Sequence, residues 1–246
     1  MRSSDRGGHD GRLLMAGLGG LVFLALLIVQ NALTLFTDPA DSASADQILH
    51  FAHAQAWSVD LLVVTYVLGF PALLAFAAGL SRRCVQLAPA SEIWGCVGRM
   101  SAVVIVVLFG LVNIVQVVIV AARADLASDP ALVRTLWILH NAVFTLNLLA
   151  IGGALLGLGR GATQAGLVPR WMGPVSTVGA ILLAIAAAPA VAEVHGSKIL
   201  AVGLVGFLCW LVLLATSSIS LLQGTATRSP SVARGLAAPD HSLSVR

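Results

Sequence analysis

Residues 94–122 read WGCVGRMSAVVIVVLFGLVNIVQVVIVAA, and this stretch decides the fold. Arg99 is its one charged residue, and Asn113 and Gln116 are the polar side chains of its second half. A transmembrane helix needs about 20 mostly apolar residues, because each advances about 1.5 Å and the hydrocarbon layer is about 30 Å thick. This run crosses with turns to spare. Its apolar residues follow one another rather than alternating, which fits a helix and not a barrel strand, and lipid offers no partner to an open strand edge.

The same criterion picks out Leu13–Phe36, Trp57–Leu80, Leu136–Leu158, Met172–Ala192 and Ile199–Leu222. The chain is therefore expected to be all-α, a polytopic membrane helix bundle with six transmembrane helices over residues 13–222. Residues 1–12 and 223–246 are rich in Ser, Gly and Arg with few large apolar side chains, and both are expected to be disordered cytoplasmic ends. Composition leads to the same class. Of the 246 residues, 58% are hydrophobic and 10% charged, against roughly 45–50% and about 25% in soluble domains. There is too little charge to cover a water-facing surface, so the excess apolar area must face hydrocarbon.

Lys and Arg concentrate on cytoplasmic flanks. Of the 14 basic residues, all but Arg123, Arg134 and Lys198 fall on the side that holds both chain ends. The basic-poor side collects Asp38, Asp41, Asp46, Asp125, Asp129 and Glu193 instead. The expectation is a multi-pass protein of the plasma membrane with its N- and C-termini in the cytoplasm. Ala43-Ser44-Ala45 has the A-x-A form of a signal-peptidase site, but the preceding apolar run is about twice the usual h-region. It is read as a span. Trp57 and Trp137 fall near the outer boundary and Trp94 and Trp171 near the inner one, as an aromatic belt requires, while Trp210 lies mid-span as a packing residue.

The net charge of +3 comes from basic residues scattered singly, so no nucleic-acid partner is expected and the lipid bilayer is. Cys84, Cys96 and Cys209 form no CxxC pair and no metal-ligand cluster. Gly153, Gly157 and Gly161 recur every fourth position, which allows close backbone approach, either within one subunit or across a homo-oligomer face.

Polar groups inside a span are costly when unpaired, and they face another helix or a wet cavity. Gln30 in span one, Asn113 and Gln116 in span three, and His140 and Asn141 in span four all fall in the outer half, with Asn147 near the middle of span four. Asn113 and Gln116 share a helix face, as do His140, Phe144 and Asn147. The expected site is an outward-facing polar pocket between spans one to four that binds a small or lipophilic ligand. His140 is its sharpest residue, since imidazole ligates metals, shuttles protons and titrates near neutrality. His50, His53, Asp60, His140 and His195 form a weak candidate set for a metal, without any H-E-x-x-H motif. Asp46, His50 and His53 also fit the solvated face of an amphipathic segment that is apolar through Ile48, Leu49 and Phe51. Ser58, His53 and Asp60 are near one another in sequence, but proximity is not geometry, and no catalytic set is assigned.

Leu136-Trp137-Ile138-Leu139-His140-Asn141-Ala142-Val143-Phe144, followed by Gly166-Leu167-Val168-Pro169-Arg170-Trp171-Met172-Gly173-Pro174, resembles an uncharacterised bacterial six-span integral membrane family. That family is a domain of unknown function with an LVPRWL-type segment opening the fifth helix. Gly98-Arg99 is similar to its helix with an embedded Arg, although Ser101 and Ala102 stand where an acid would follow. The resemblance implies the same architecture over roughly residues 13–222 and makes Arg170 a cytoplasmic anchor. It implies no activity and no cofactor. Three functional readings stand open on the residues: a non-enzymatic ligand-binding membrane protein (transporter, sensor or accessory subunit), a metal- or haem-dependent membrane enzyme using outer-leaflet histidines, and a purely structural protein.

Overall fold

The computed structural model describes residues 4–188 and 200–226. Every regular element among them is helical: α1 Ser4–Thr37, α2 Ala45–Ala54, α3 Ala56–Leu87, α4 Glu92–Ala121, α5 Arg123–Leu126, α6 Pro130–Gln164, α7 Met172–Ala187 and α8 Leu200–Ala226. Five helical runs among the described residues are long and apolar enough to cross a membrane, namely Gly11–Thr37, Ala56–Leu87, Pro89–Ala121, Pro130–Gln164 and Val202–Gly224. The expected span Met172–Ala192 falls on α7, whose 16 residues extend about 24 Å at 1.5 Å per residue. Five full-length spans thus stand among the described residues, and residues 189–192 of the expected Met172–Ala192 span lie outside them.

The outer faces of these helices are apolar and unpacked. Phe36 is 84% exposed, and Leu35, Val67, Ile93 and Met100 are likewise open. Between 33% and 61% of each crossing window is buried inside the bundle, so much of each helix would meet water if no lipid covered it. The chain is an integral membrane protein.

Each long helix packs on the next, in the order α1, α3, α4, α6, α7, α8, and α8 returns to α1 to close a ring. Helix α6 also touches α3 and α8, which makes it the most enclosed span. The shared core holds Leu73, Phe76 and Leu80 from α3, Leu155 and Leu158 from α6, Leu183 from α7, and Trp210 and Leu213 from α8. Trp210 is thus the packing residue its position suggests. Helix α4 meets α6 at glycines: a Cβ on Gly157 would run into the Gly98 nitrogen, and one on Gly98 would lie 2.6 Å from Leu158 Cδ2. The Gly153, Gly157 and Gly161 stripe is therefore covered by Ser101, Gly98 and Trp94 of the same chain. Close approach replaces a hydrophobic driving force that lipid cannot supply.

Local signals set the helix ends. Helix α6 starts at Pro130, with the Asp129 carboxylate accepting from Leu132 N at 3.0 Å. It stops at Gly166, whose φ of +67° only glycine adopts freely. Leu167 N donates to Ala162 O at 2.9 Å and Gly166 N to Thr163 O at 3.1 Å, the paired bonds of a Schellman stop. Val168 and Met172 then anchor the LVPRWM segment in the core, leaving Arg170 and Trp171 exposed. Helix α1 begins at Ser4, so most of the expected disordered N-terminus is helical. Once a span has nucleated a helix, each added residue brings one more hydrogen bond. Residues 223–226 similarly extend α8, and the tail beyond lies outside the described residues.

Helix α2 occupies the connection between the first two spans. Ser44 and Gln47 form a capping box, with Ser44 N donating to Gln47 Oε1 at 2.9 Å and Gln47 N to Ser44 Oγ at 3.3 Å. Its apolar face, Ile48, Phe51 and Ala52, packs on Val115 and Ile119 of α4, Leu126 of α5, and Val133 and Trp137 of α6. The amphipathic segment thus caps the end of the bundle at the α1–α3 connection instead of standing apart from it.

Candidate functional site

Beneath this cap the spans bring polar side chains together. On α4, the buried face through Val112, Val115 and Ile119 also carries Asn113 and Gln116 inward. Gln116 Nε2 donates to Asp38 Oδ2 at 3.3 Å, which ties α4 to the strap of residues 38–44 between α1 and α2. Across from them on α6, Trp137 Nε1 donates to Ala40 O at 3.2 Å and Asn141 Nδ2 to Asp41 O at 3.5 Å. Trp137 is buried, not set at the lipid boundary as a belt residue, because its ring stacks on His140 with centroids 4.7 Å apart and 8° between planes.

The floor is aromatic. Tyr66 of α3 lies 5.4 Å from Phe109 of α4, and Phe109 lies 6.2 Å from Phe144 of α6. The Tyr66 hydroxyl lies beside Asn113 and Gln30, and the charge of Asp38 reaches it. With Phe109 and Phe144 level, Asn113 and His140 each sit four residues outward, about 6 Å, and face one another in height. Gln116 and Asp38 stand about one turn further out. Gln30, Asn113, Gln116, His140 and Asn141 thus lie buried toward the α2 end of α1, α4 and α6. Asn147 does not join them: it lies about 4.5 Å inward of Phe144, beneath the aromatic floor.

Several polar atoms here have no partner. Gln30, Asn113 and His140 are 6%, 7% and 6% exposed, yet Gln30 Nε2, Asn113 Oδ1 and His140 Nε2 make no hydrogen bond, nor does either amide atom of Asn147. The remaining bonds fix which atoms these are. Asn113 Nδ2 donates to Phe109 O at 2.8 Å, which turns Oδ1 inward. Asn141 uses its Nδ2 on Asp41 O, so its Oδ1 faces His140 Nδ1 at 3.0 Å. In the neutral ring Nδ1 then carries the proton and Nε2 presents a lone pair. Buried polar atoms without partners are rare and costly. Asp38, at the outer rim, feels the same desolvation, which raises its carboxyl from 3.8 to about 6 against the opposing bonds from Thr37 and Gln116.

A separate groove of about 460 Å³ runs along the outside of the strap, lined by Thr37, Pro39, Ala40, Asp46, His50, Phe51 and Gln55 among others. The weak metal set does not assemble. Among the described residues no three of His, Cys, Asp and Glu come together. His50, His53 and Asp60 are exposed, whereas His140 is buried under the cap. His195 lies outside the described residues. The Ser58 hydroxyl donates to Gln55 O at 2.7 Å, so Ser58 forms no nucleophilic group with His53 and Asp60.

The family described as Domain of unknown function (DUF4386) matches residues 17–231. The chain belongs to that family. The match takes in every residue of the outer polar region and the LVPRWM segment. A comparison with curated proteins and one with solved structures found no match.

Asp38, Tyr66 and the strap carbonyls are members of the region that residue type and depth alone do not reveal. Asp38 reads as an ordinary loop acid in the sequence, and Tyr66 as one more large apolar residue of its span.

Proposed function

We propose that this chain is a non-enzymatic six-span protein of the plasma membrane, with both termini in the cytoplasm, that binds a small ligand in an outward-facing polar chamber between α1, α3, α4 and α6. It serves as a transporter, sensor or accessory subunit. The observation that carries this reading is the set of deeply buried, unpartnered polar atoms, Gln30 Nε2, Asn113 Oδ1 and His140 Nε2, at the outer end of four packed helices. If polar residues served only as interhelical glue, they would bond across helices. Asn113 gives its Nδ2 to its own helix and has the Tyr66 hydroxyl beside it, and the bonds of Gln116, Trp137 and Asn141 go to the strap. What remains points to atoms kept for water or a ligand.

Cysteine accessibility tests this. In a background with Cys84, Cys96 and Cys209 replaced, Asn113→Cys and His140→Cys are expected to react with a small hydrophilic methanethiosulfonate added outside intact cells, and Leu155→Cys, in the core, is not. If positions 113 and 140 are as inert as 155 while an exposed strap position such as Ser42→Cys reacts, there is no chamber.

A further inference from the structure

At the end of the bundle opposite the α2 cap, a guanidinium is held without a counter-ion. Arg160 of α6 lies over the Trp94 ring of α4, with its Cζ 5.5 Å from the ring centroid, and among the described residues it makes no hydrogen bond or ion pair. Stacking on an indole leaves the guanidinium N–H groups free at the rim of their plane, where they match phosphate oxygens in pairs. The helices around it, α3, α4, α6 and α7, carry Arg82, Arg83, Arg99, Arg160 and Arg170 at this end against one acid, Glu92. Glu92 stands two residues before Trp94, about 200° around α4, and so faces away from Arg160.

The same corner is shaped as a furrow. From Ala150 to Thr163 every residue of α6 is buried except Gly153, Leu156, Arg160 and Thr163, whose spacing of three, four and three makes one narrow stripe. Helix α4 walls this stripe on one side, where a Cβ on Gly153 would lie 2.5 Å from Ser101 Oγ and Trp94 carries Arg160. Helix α7 walls the other, where a Cβ on Gly173 would lie 3.2 Å from Thr163 Cγ2. From Arg160 to the exposed Leu149 the stripe continues for about 16 Å, about half of a 30 Å hydrocarbon layer. Arg160 is therefore at headgroup depth when Leu149 reaches the midplane. Arg170 and Trp171, exposed in the turn that leads into α7, stand further out at this corner.

We infer that the furrow between α4, α6 and α7 holds an anionic phospholipid, its phosphate against the Arg160 guanidinium and one acyl chain along Leu156 and Gly153. Arg170 supplies a second charge toward the headgroup, and basic pockets between spans favour anionic lipids. Arg99 provides the contrast. It carries the same charge at the same end, but it is exposed and lies about 140° around α4 from Trp94, outside the furrow.

The test uses the full chain in a non-ionic detergent at fixed ionic strength, titrated with dioleoylphosphatidylglycerol, dioleoylphosphatidylcholine or sodium phosphate, with the thermal midpoint as readout. Phosphatidylglycerol is expected to raise the midpoint saturably, whereas phosphatidylcholine and free phosphate are not. Arg160→Gln is expected to raise the half-saturating phosphatidylglycerol concentration about tenfold, and Arg99→Gln, which removes only a screened surface charge, by less than about threefold. Equal losses from the two variants mean attraction to the basic end as a whole, and they overturn the inference. Equal shifts from the two lipids, or from free phosphate and phosphatidylglycerol, overturn it as well. Should Arg160→Gln fail to fold, the three probes on the wild type and the Arg99→Gln titration still decide, because a tenfold loss at Arg99 places the lipid on the other face of α4.

Discussion

Replacing Asp38 by Asn changes one charge in a place where burial already disfavours it. Desolvation lifts the Asp38 carboxyl from 3.8 to about 6, so between those values the folded chain holds a proton that the unfolded chain has released. Stability from this source is complete below about pH 4 and is lost as pH rises through about 6. At about 1.4 kcal/mol per pKa unit, the full shift corresponds to at most about 3 kcal/mol. Asp38 is only partly buried, and solvent screening reduces this to about 1–2 kcal/mol. Asn keeps an acceptor for Gln116 and has no charge to desolvate. The variant is therefore expected to be more stable than the wild type at pH 8, with a thermal midpoint about 2–8 °C higher, and the gap is expected to close by pH 4. Thermal unfolding in detergent, followed by tryptophan fluorescence at several pH values without added ligand, measures it. Burial also raises Asp41, but that residue is present in both proteins and cancels in the difference. A gap that is constant across pH, or a wild type that is the more stable protein at pH 8, refutes the reasoning.

Three other expectations concern the scaffold. Gly157→Leu forces a side chain into the Gly98 backbone and is expected to destabilise by about 3 kcal/mol or more, while Gly110→Ala, inside α4 with open space around it, is expected to leave the unfolding midpoint no lower, since Ala is the better helix former. Ile48→Ala empties a fully buried site under α2, at a cost of about 2–4 kcal/mol, and limited proteolysis should then cut within residues 38–55 well before the spans. Topology is read with an impermeant thiol reagent outside intact cells, which is expected to label Asp129→Cys and leave Arg83→Cys unmodified, and the opposite pattern inverts the orientation.

The long apolar runs made the bundle legible in the sequence, since a chain with this little charge has few other ways to bury its apolar area. The depth of Asn113, Gln116, His140 and Asn141 was also legible, because helical rise converts residue number directly into height. Orientation about the helix axis was less so. Trp137 has the position of a boundary residue, and only the packing of α2 over it shows that it faces inward. The cap itself has a local signature in Ser44-Ala45-Asp46-Gln47, a capping box, but the same residues also spell a cleavage motif, and local pattern alone does not separate the two. Asn147 fits the stripe with His140 and yet lies beneath the Phe109–Phe144 floor, a separation that depends on a neighbouring helix. The glycine stripe showed that some surface approaches closely, and the structure shows that this surface is α4 of the same chain.

The most direct measurement is an experimental density map of the full chain at a resolution that shows ordered water. The account predicts density for water or a ligand within hydrogen-bonding distance of Asn113 Oδ1 and His140 Nε2, enclosed by Asp38, Gln116 and Tyr66 beneath the α2 cap. A map in which those side chains bond directly to one another across the helices, with nothing between them, would contradict it and leave the polar residues as structural links.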